Sequence, residues 1–378
     1  MKTYSFKLYN HKRNKHLKRQ IHIAASIYNH CIALHKRYYR LYGKHLNAYQ
    51  LKVHLTKLKK LEKYAHWNQL GSQAIQDVVE RIDRAYKLFF SNRAAGRKTA
   101  PPSFKKRIKY KSFTLKQAGY KLLQNNYIRI GKRIYQYFKS REIEGNVKTL
   151  TVKRDALGDL YIFIVTDAEA KIENVPRTGQ SVGFDFGLKI FLTASDGNDV
   201  ESPQCYKQSE HKIRRANKRL SNKKRGSHHR ERARKNLARK HRQIANQRND
   251  FHWKLADHIT DDYDFIFFED LNLKGMQSLW GNPISDLGFY AFLQKVKYYA
   301  GTKGKRVIFI DRFYPSSKTC SDCGFNLKDL ELRQRSWTCP NCGVIHDRDR
   351  NASVNIFRVG ASTLGLGDVR PPEVAIAA

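Results

Sequence analysis

Four of the six cysteines lie in one short stretch, as Cys320-x2-Cys323 and, fifteen residues on, Cys339-x2-Cys342. Each CxxC turn, with a glycine just past its second cysteine (Gly324, Gly343), aims two thiolates at one point. Two such knuckles make a tetrahedral sulfur site, which suits Zn2+ and leaves no coordination position open, so the expected ion is structural. Two disulfides or four free buried thiols are the competing readings. No signal peptide opens the sequence, which argues against an oxidising compartment. The other cysteines, Cys31 and Cys205, are isolated and read as small buried hydrophobes.

A second kind of chemistry is carried by carboxylates. Asp185 sits in the apolar run Ser181-Val-Gly-Phe-Asp-Phe-Gly187, Glu269 ends Asp264-Phe-Ile-Phe-Phe-Glu269, and Asp349 opens a helical stretch beyond the cysteines. An apolar strand rarely carries an unpaired carboxylate, because burying one costs several kcal/mol or shifts its pKa. Three converging carboxylates can hold two Mg2+ ions about 3.5–4 Å apart, one for an attacking water and one for the leaving oxygen of a phosphodiester. Taken singly, each has an ordinary explanation as a helix cap, an edge charge or an ion-pair partner, and Asp270 and Asp347 fit those roles equally well. For Asp185, Glu269 and Asp349 the order strand and hairpin, strand, helix is that of an RNase H-like nuclease.

The elements that must position these groups follow from periodicity. Met1 to Tyr9 alternates, with Tyr4, Phe6 and Leu8 on one face, as a strand does. From about His11 to Asn92 the apolar spacing becomes helical, for example at Ile75, Val78, Val79, Ile82, Tyr86 and Phe89. Asn47, Asn68 and Gly71-Ser72 mark breaks between helices. After a linker at Gly96 to Ser103, short strands return at Tyr110–Leu115, Tyr127–Ile130, Thr149–Arg154 and Leu160–Thr166. That spacing predicts a small barrel, with the first strand included and the helices inserted. In the second half, strands are expected at Ser181–Gly187, Ile190–Ser195, Asp264–Asp270 and Arg306–Ile310, and a hairpin turn at Asp196-Gly197. Helices are expected on both sides of Gly226-Ser227 and over Leu287–Ala300. Gly275 to Asp286 reads as a loop, and Val359 to Ala378 as a loose tail.

The whole chain is basic. Its 378 residues carry 73 Lys and Arg against 33 Asp and Glu, a net charge of +40. Between Lys212 and Arg242, 15 of 31 residues are Lys or Arg and only Glu231 is acidic. So many like charges repel one another unless a polyanion is bound, which makes nucleic acid the first expected partner and an anionic membrane surface the second. No apolar run approaches the roughly 20 residues of a spanning helix, so a transmembrane protein is excluded. The expected phosphate contacts are Lys212, Arg214, Arg215, Lys218, Arg219, Lys223, Lys224 and Arg225.

Taken together, Gly183-Phe-Asp185-Phe-Gly187, Phe268-Glu269-Asp270-Leu271-Asn272, Ser316 to Gly324, Trp337 to Gly343 and Asp347-Arg-Asp349-Arg-Asn351-Ala352 resemble the TnpB family. These are transposon-encoded proteins considered ancestral to type V CRISPR effectors. The motifs run from Ser181 to Phe357. The earlier part resembles the family mainly in its order of elements, and Ser72-Gln73-Ala-Ile-Gln76 is its best match. Ser353 stands where the family usually has a second alanine.

The resemblance implies an α/β multidomain, RNA-guided DNA endonuclease of the prokaryotic cytoplasm. A RuvC-like (RNase H-like) nuclease domain would span 181–315 and 344–359, with the zinc ribbon 316–343 inserted and a flexible tail at 360–378. A wedge β-barrel would span 1–10 and 97–180, with the helical recognition lobe 11–96 inserted. Asp185, Glu269 and Asp349 would be the Mg2+-binding catalytic triad. A transposon-end guide RNA, one protein per RNA, would pair with double-stranded target DNA, while the protein itself reads a short adjacent motif. Gln73 and Gln76 are the candidate readers, since Gln can bind adenine edges, although a polar helix face explains them too. Arg335 is a candidate contact to the substrate strand, and Trp337 a ribbon core residue. Two alternatives stay open: a nuclease-inactive RNA-guided repressor, and a transposase or junction nuclease that uses no RNA.

Overall fold

The computed structural model describes residues 1–169, 172, 175–272, 275, 286–331 and 333–365. The chain divides into two compact units, Met1–Ala170 and Lys171–Ala378.

In the first unit, β1 (Lys2–Lys7) turns Tyr4 and Phe6 inward on the expected alternation. The chain then forms α1 (Asn14–Tyr42), α2 (Ala48–Leu58), a 3-10 segment at Glu62–Leu70 and α3 (Ser72–Ala94). Of the expected breaks, Asn47 and Gly71-Ser72 fall at helix starts, whereas Asn68 lies within the 3-10 segment. Gly43 ends α1 at φ 61°, a conformation that costs glycine nothing. Asn47 and Gln50 form a reciprocal capping box on α2, with bonds of 2.8 and 3.0 Å. Leu17, Ile21 and Ala24 of α1 pack in one core with Ile75, Val78 and Ile82 of α3.

The chain returns as β2 (Ser112–Leu115), β3 (Tyr120–Leu122), β4 (Tyr127–Ile130), β5 (Arg133–Gln136), β6 (Val147–Arg154) and β7 (Leu160–Thr166). These strands do not pair as one barrel. They form a four-stranded antiparallel sheet, β1-β7-β6-β2, and a three-stranded meander, β3-β4-β5. A single bridge, Leu8 to Tyr137, joins them, flanked by Tyr9 N–H to Gln136 O (3.0 Å) and Phe138 N–H to Lys7 O (2.9 Å). The reason is local. Asn125 and Asn126 both take positive φ (55° and 62°), and Gly131 sits at 58°, so tight turns fold β3, β4 and β5 on one another. β3 and β5 are too short to show a period, which is why the sequence reading missed them.

The second unit is built on a five-stranded sheet in the order β10-β9-β8-β11-β12. Its strands are β8 (Ser181–Phe186), β9 (Ile190–Ala194), β10 (Val200–Glu201), β11 (Phe265–Glu269) and β12 (Arg306–Ile310). β8, β11 and β12 run parallel, and β8, β9 and β10 antiparallel. Between β10 and β11 stand α4 (Cys205–Ser221) and α5 (His228–Asp262), split at the expected point: Ser227 Oγ caps Arg230 N at 3.1 Å. Helix α6 (Phe289–Lys303) precedes β12, and the hairpin β13 (Ser336–Thr338) and β14 (Ile345–Asp347) leads into α7 (Arg348–Ser362). One sequence expectation changes here. α7 runs on to Ser362 with Gly360 and Ala361 buried, because Ile356, Phe357 and Ala361 complete an apolar face against Phe267 and Ile310. Only 366–378 of the expected tail, and most of the expected loop Gly275–Asp286, lie outside the described residues.

α7 lies so close to the sheet that two positions tolerate no side chain. A Cβ on Gly183 would stand 2.5 Å from both Phe357 N and Ser353 O, and one on Gly360 would stand 2.1 Å from the Phe267 ring. Ser353 itself is fully buried, with Oγ donating to Arg350 O at 2.8 Å. Gly183→Ala is therefore expected to cost about 1–3 kcal/mol or more, because the clash is with backbone. Ser353→Ala, the residue usual in the resembled family, should cost no more than about 1.5 kcal/mol, one hydrogen bond. Thermal unfolding of the two variants checks the contrast.

Candidate active site and metal centre

The pairing of β8 with β11 sets Phe184 against Phe268, so Asp185 and Glu269 are the next residues at the carboxyl ends of neighbouring parallel strands. Asp349 is the second residue of α7. All three line one cleft of ≈ 660 Å³, together with Ser316, Arg335 and Arg348. Burial pushes the Asp185 carboxyl up to about 8, and the nearby charges of Asp349 and then Glu269 push the same way. Glu269 is also raised, by burial first, against a hydrogen bond from Ser316 Oγ at 3.4 Å. Asp185, raised by burial and by two neighbouring carboxylates, would gain from a nearby cation. An all-oxygen donor set of this kind fits a hard divalent cation. The fit is incomplete in one respect. Among the described residues, the three carboxylates are not drawn within 4.8 Å of one another as the cysteine sulfurs are. Asp349 instead meets Arg335 Nη1, at 3.2 and 3.4 Å from its two oxygens.

The neighbouring acids take ordinary roles. Asp347 caps α7, accepting from Asp349 N at 3.1 Å and Arg350 N at 2.9 Å, and so fixes the turn that presents Asp349. Asp270 is held by Arg312.

The cysteines come together as their spacing requires. Cys320 and Cys342 sulfurs are 3.6 Å apart, Cys323 and Cys339 3.5 Å, and all four lie within 4.8 Å of one another. A tetrahedron with Zn–S arms of about 2.3 Å has edges of about 3.8 Å, so the cluster can hold zinc with little movement. The knuckles are built alike. Gly324 N–H donates to Cys320 O and Gly343 N–H to Cys339 O, both at 2.9 Å, and each glycine has φ 76°. The Cys323 thiol is pulled down to about 6, first by the Asn341 side chain and then by the Phe325 backbone, which favours the thiolate a metal needs. Trp337 is buried in the ribbon core, as expected.

Some residues of this assembly carried no signal in the sequence. Asn351 and Asn355, one turn apart on α7, donate to Thr319 O at 2.7 and 2.6 Å, and Asn351 Oδ1 accepts from Ser321 N at 2.8 Å. They tie the first knuckle to the helix that carries Asp349. His346 stands 3.0 Å from Cys320 Sγ, its ring tilted against Trp337 at 4.8 Å. A buried Asn pair at i, i+4 was the only available hint.

The remaining candidates are spread out. Lys212, Arg214, Arg215, Lys218, Arg219, Lys223, Lys224 and Arg225 are all exposed on α4 and the turn after it, while Ile213 and Ala216 face inward. In the first unit, Gln73 is half-buried at the start of α3, in a cavity of ≈ 600 Å³ with Gln20, Lys132 and Arg133. Gln76 is exposed and is not part of that lining.

The fold and the cleft define an α/β protein of the architecture seen in a Cas12f1–sgRNA–target DNA complex. That solved structure matches at TM-score 0.57 and 14% identity, over 92% of this chain and 83% of the other. Residues 163–279 match a family model described as "Probable transposase", and 289–356 match "Cas12f1-like, TNB domain". A "Putative RNA-guided DNA endonuclease" of Streptomyces pristinaespiralis is 28% identical over 324 residues, 84% of this chain and 79% of the relative. InsQ of Escherichia coli K12, described in the same words, is 29% identical over 322 residues, 79% and 77%. A TnpB-like protein of Acanthamoeba polyphaga mimivirus is 29% identical over 229 residues, 56% and 43%. The resemblance to the TnpB family therefore stands on both halves of the chain. Among the described residues, no helix is long and apolar enough to cross a membrane.

Two outcomes follow. Purified protein should contain one zinc per chain, and Cys339→Ser should lower that content and expose the ribbon to protease, because metal binding supplies much of a small ribbon's folding energy; metal analysis and limited proteolysis read both. The second concerns pH. The unfolded chain releases the Asp185 proton near pH 4, while the folded, magnesium-free chain holds it to about 8. Wild-type protein in chelator should lose stability as pH climbs through that window. Asp185→Asn should not share the loss, so its melting temperature should overtake wild type between pH 4 and 8. Parallel curves would contradict the raised pKa.

Proposed function

We propose that the chain is an RNA-guided DNA endonuclease of a transposon, cutting target DNA by phosphodiester hydrolysis at Asp185, Glu269 and Asp349. The observation that carries this reading is the acidic cleft itself, in which burial and the charges of Asp349 and Glu269 push the Asp185 carboxyl up, at the carboxyl ends of the parallel strands β8 and β11. Its support is wider than the cleft. The sheet order, three antiparallel strands continued by two parallel ones, is that of an RNase H-like domain, and relatives spanning most of the chain carry the name RNA-guided DNA endonuclease. In this reading 181–315 and 344–359 form the RuvC-like domain, 316–343 the zinc ribbon, 1–10 and 97–180 the wedge, and 11–96 the recognition lobe.

The chain's own groups have separable tasks. Asp185 and Glu269 present oxygens from rigid strand ends, and Asp349 from a capped helix, so the donor geometry does not depend on loops. Bound Mg2+ would supply Lewis-acid polarisation of the phosphate and an ionised water. Arg335 is placed to exchange Asp349 for a phosphate oxygen when a strand enters the cleft. The exposed cations of α4 hold backbone phosphates without reading bases. Sequence choice then falls to a paired RNA, while Gln73 or Gln76 reads the short adjacent motif.

The test is to purify the protein with its transposon-end RNA, change only the guide segment, and offer two plasmids with matching targets. Cutting should switch plasmids with the guide. Asp185→Asn, Glu269→Gln or Asp349→Asn should reduce cutting to background with target binding retained. RNA-free protein that cuts both plasmids equally would favour the junction or transposase alternative, and guided binding without cutting by wild type the repressor alternative.

A further inference from the structure

In the first unit, near the carboxyl end of α3, a cavity of ≈ 440 Å³ opens between α1 and the segment that follows α3. That volume lies within the about 300–1,000 Å³ usual for small-molecule sites. Its walls are aromatic. His45 stacks on Tyr39 at 4.8 Å and meets the Phe90 ring edge-on at 4.5 Å, and Tyr86 lies 4.5 Å from the ring of His35. Its mouth is cationic, with Arg93, Lys98 and Lys36 among the lining residues.

The informative group is His35. It lines the cavity, is 3% exposed, and neither ring nitrogen has a hydrogen-bond partner. A buried polar group without a partner costs about 1–3 kcal/mol. The ring is held neutral, its pKa pulled down to about 4 by burial first and by His45 second, against Asp83. The nitrogens of a neutral imidazole point to opposite sides of the ring, one a donor and one an acceptor, so one of them can take a single hydrogen bond from or to the polar edge of a nucleobase. Tyr39 and Phe90, 53% and 38% exposed, present ring faces to anything entering. Apolar ligands would leave His35 unsatisfied, and a bare anion would not use the aromatic walls.

We propose that this cavity is a nucleobase pocket that takes one unstacked base of a single-stranded RNA, with the base against Tyr39 and Phe90, its polar edge toward His35, and its phosphates on Arg93 and Lys98. A base inside a duplex does not reach such a pocket, whereas splayed bases of RNA loops and bulges do. The choice of RNA over DNA rests on the RNA-guided reading above; the base pocket itself does not.

The experiment uses the full chain, stripped of nucleic acid, with three probes of equal length: an oligoadenylate, its deoxy counterpart, and an abasic ribose-phosphate oligomer. Wild type should bind the oligoadenylate more tightly than the abasic oligomer. Tyr39→Ala removes a stacking face. His35→Phe keeps an aromatic ring beside Tyr86 but removes both nitrogens. Each should weaken oligoadenylate binding by about five- to a hundredfold, the range for losing one base stack. Abasic binding and the salt dependence of oligoadenylate binding should stay unchanged, since no phosphate contact is touched, and His35→Phe should melt no lower than wild type, since it removes an unsatisfied buried group. Equal losses on all probes, or no loss, would overturn the pocket. An equal loss on the deoxy oligomer would overturn the assignment to RNA. Selective loss in a protein that fails to cut under guide control would leave the pocket standing and remove only the RNA-guided reading.

Discussion

The second unit depends on how closely α7 lies against β8. Gly183 and Gly360 remove the two side chains that would hold helix and sheet apart. Once docked, α7 brings Asp349 to the end of the strand that carries Asp185, and Asp347 fixes the first turn so that Asp349 starts the helix rather than fraying from it. The same helix turns Asn351 and Asn355 toward the ribbon and Phe357 toward Phe267. One packing distance thus sets the triad, the ribbon and the small core beneath them. A methyl group at Gly183 would act on all three, although it lies two residues from any catalytic group.

The cleft is an acidic exception in a chain of net charge +40. Like charges in a half-buried site repel, and the structure answers with arginines that leave the carboxylates accessible. Arg335 holds Asp349 from the ribbon, and Arg312 holds Asp270 at the edge. Both pairs are open to solvent and so add little to stability. Weak pairs of this kind leave the carboxylates free to exchange partners. Deeply buried pairs behave otherwise: Lys305 to Asp264 at 2.5 Å, nearly inaccessible, secures the start of β11 and is not free to exchange.

What was legible in the sequence was what local geometry determines. Four cysteines in two CxxC turns specify a sulfur site wherever the ribbon lies, and a carboxylate inside an apolar strand announces itself against its neighbours. Asn47, Gly226-Ser227 and the alternation of β1 are likewise local. The misses are groups whose role is made by distant chain. Ser316 meets Glu269 from 47 residues away, and Arg335 meets Asp349 across a hairpin. Strand pairing failed for the same reason: alternation shows that Thr149–Arg154 is a strand, but the turns at Asn125-Asn126 and Gly131 decide that β3 to β5 form their own sheet. Tyr86 sits at helical spacing and reads as packing, and His35 carries no signal, since nothing in a linear sequence shows that a buried imidazole has been left without a partner.

The sulfur cluster and the three carboxylates are physically linked, and the link has a direction. Cys320 lies between Thr319 and Ser321, whose backbone groups are the ones Asn351 and Asn355 hold. Ser316, which donates to Glu269, also gives its carbonyl to Asn355 at 2.8 Å. The segment 316–321 is therefore bonded at one end to Glu269 and reaches Cys320 of the sulfur cluster at the other, with α7 alongside. Ordering the cysteines restricts this segment, and the segment in turn restricts Glu269 and Asp349. Coupling in the reverse direction is weaker, because Glu269 and Asp349 are already held by a β-strand and a capped helix. The ribbon is thus better understood as part of the scaffold that sets the carboxylates than as an appendage beside them, which gives a physical reason for a closed sulfur site so near an open oxygen one.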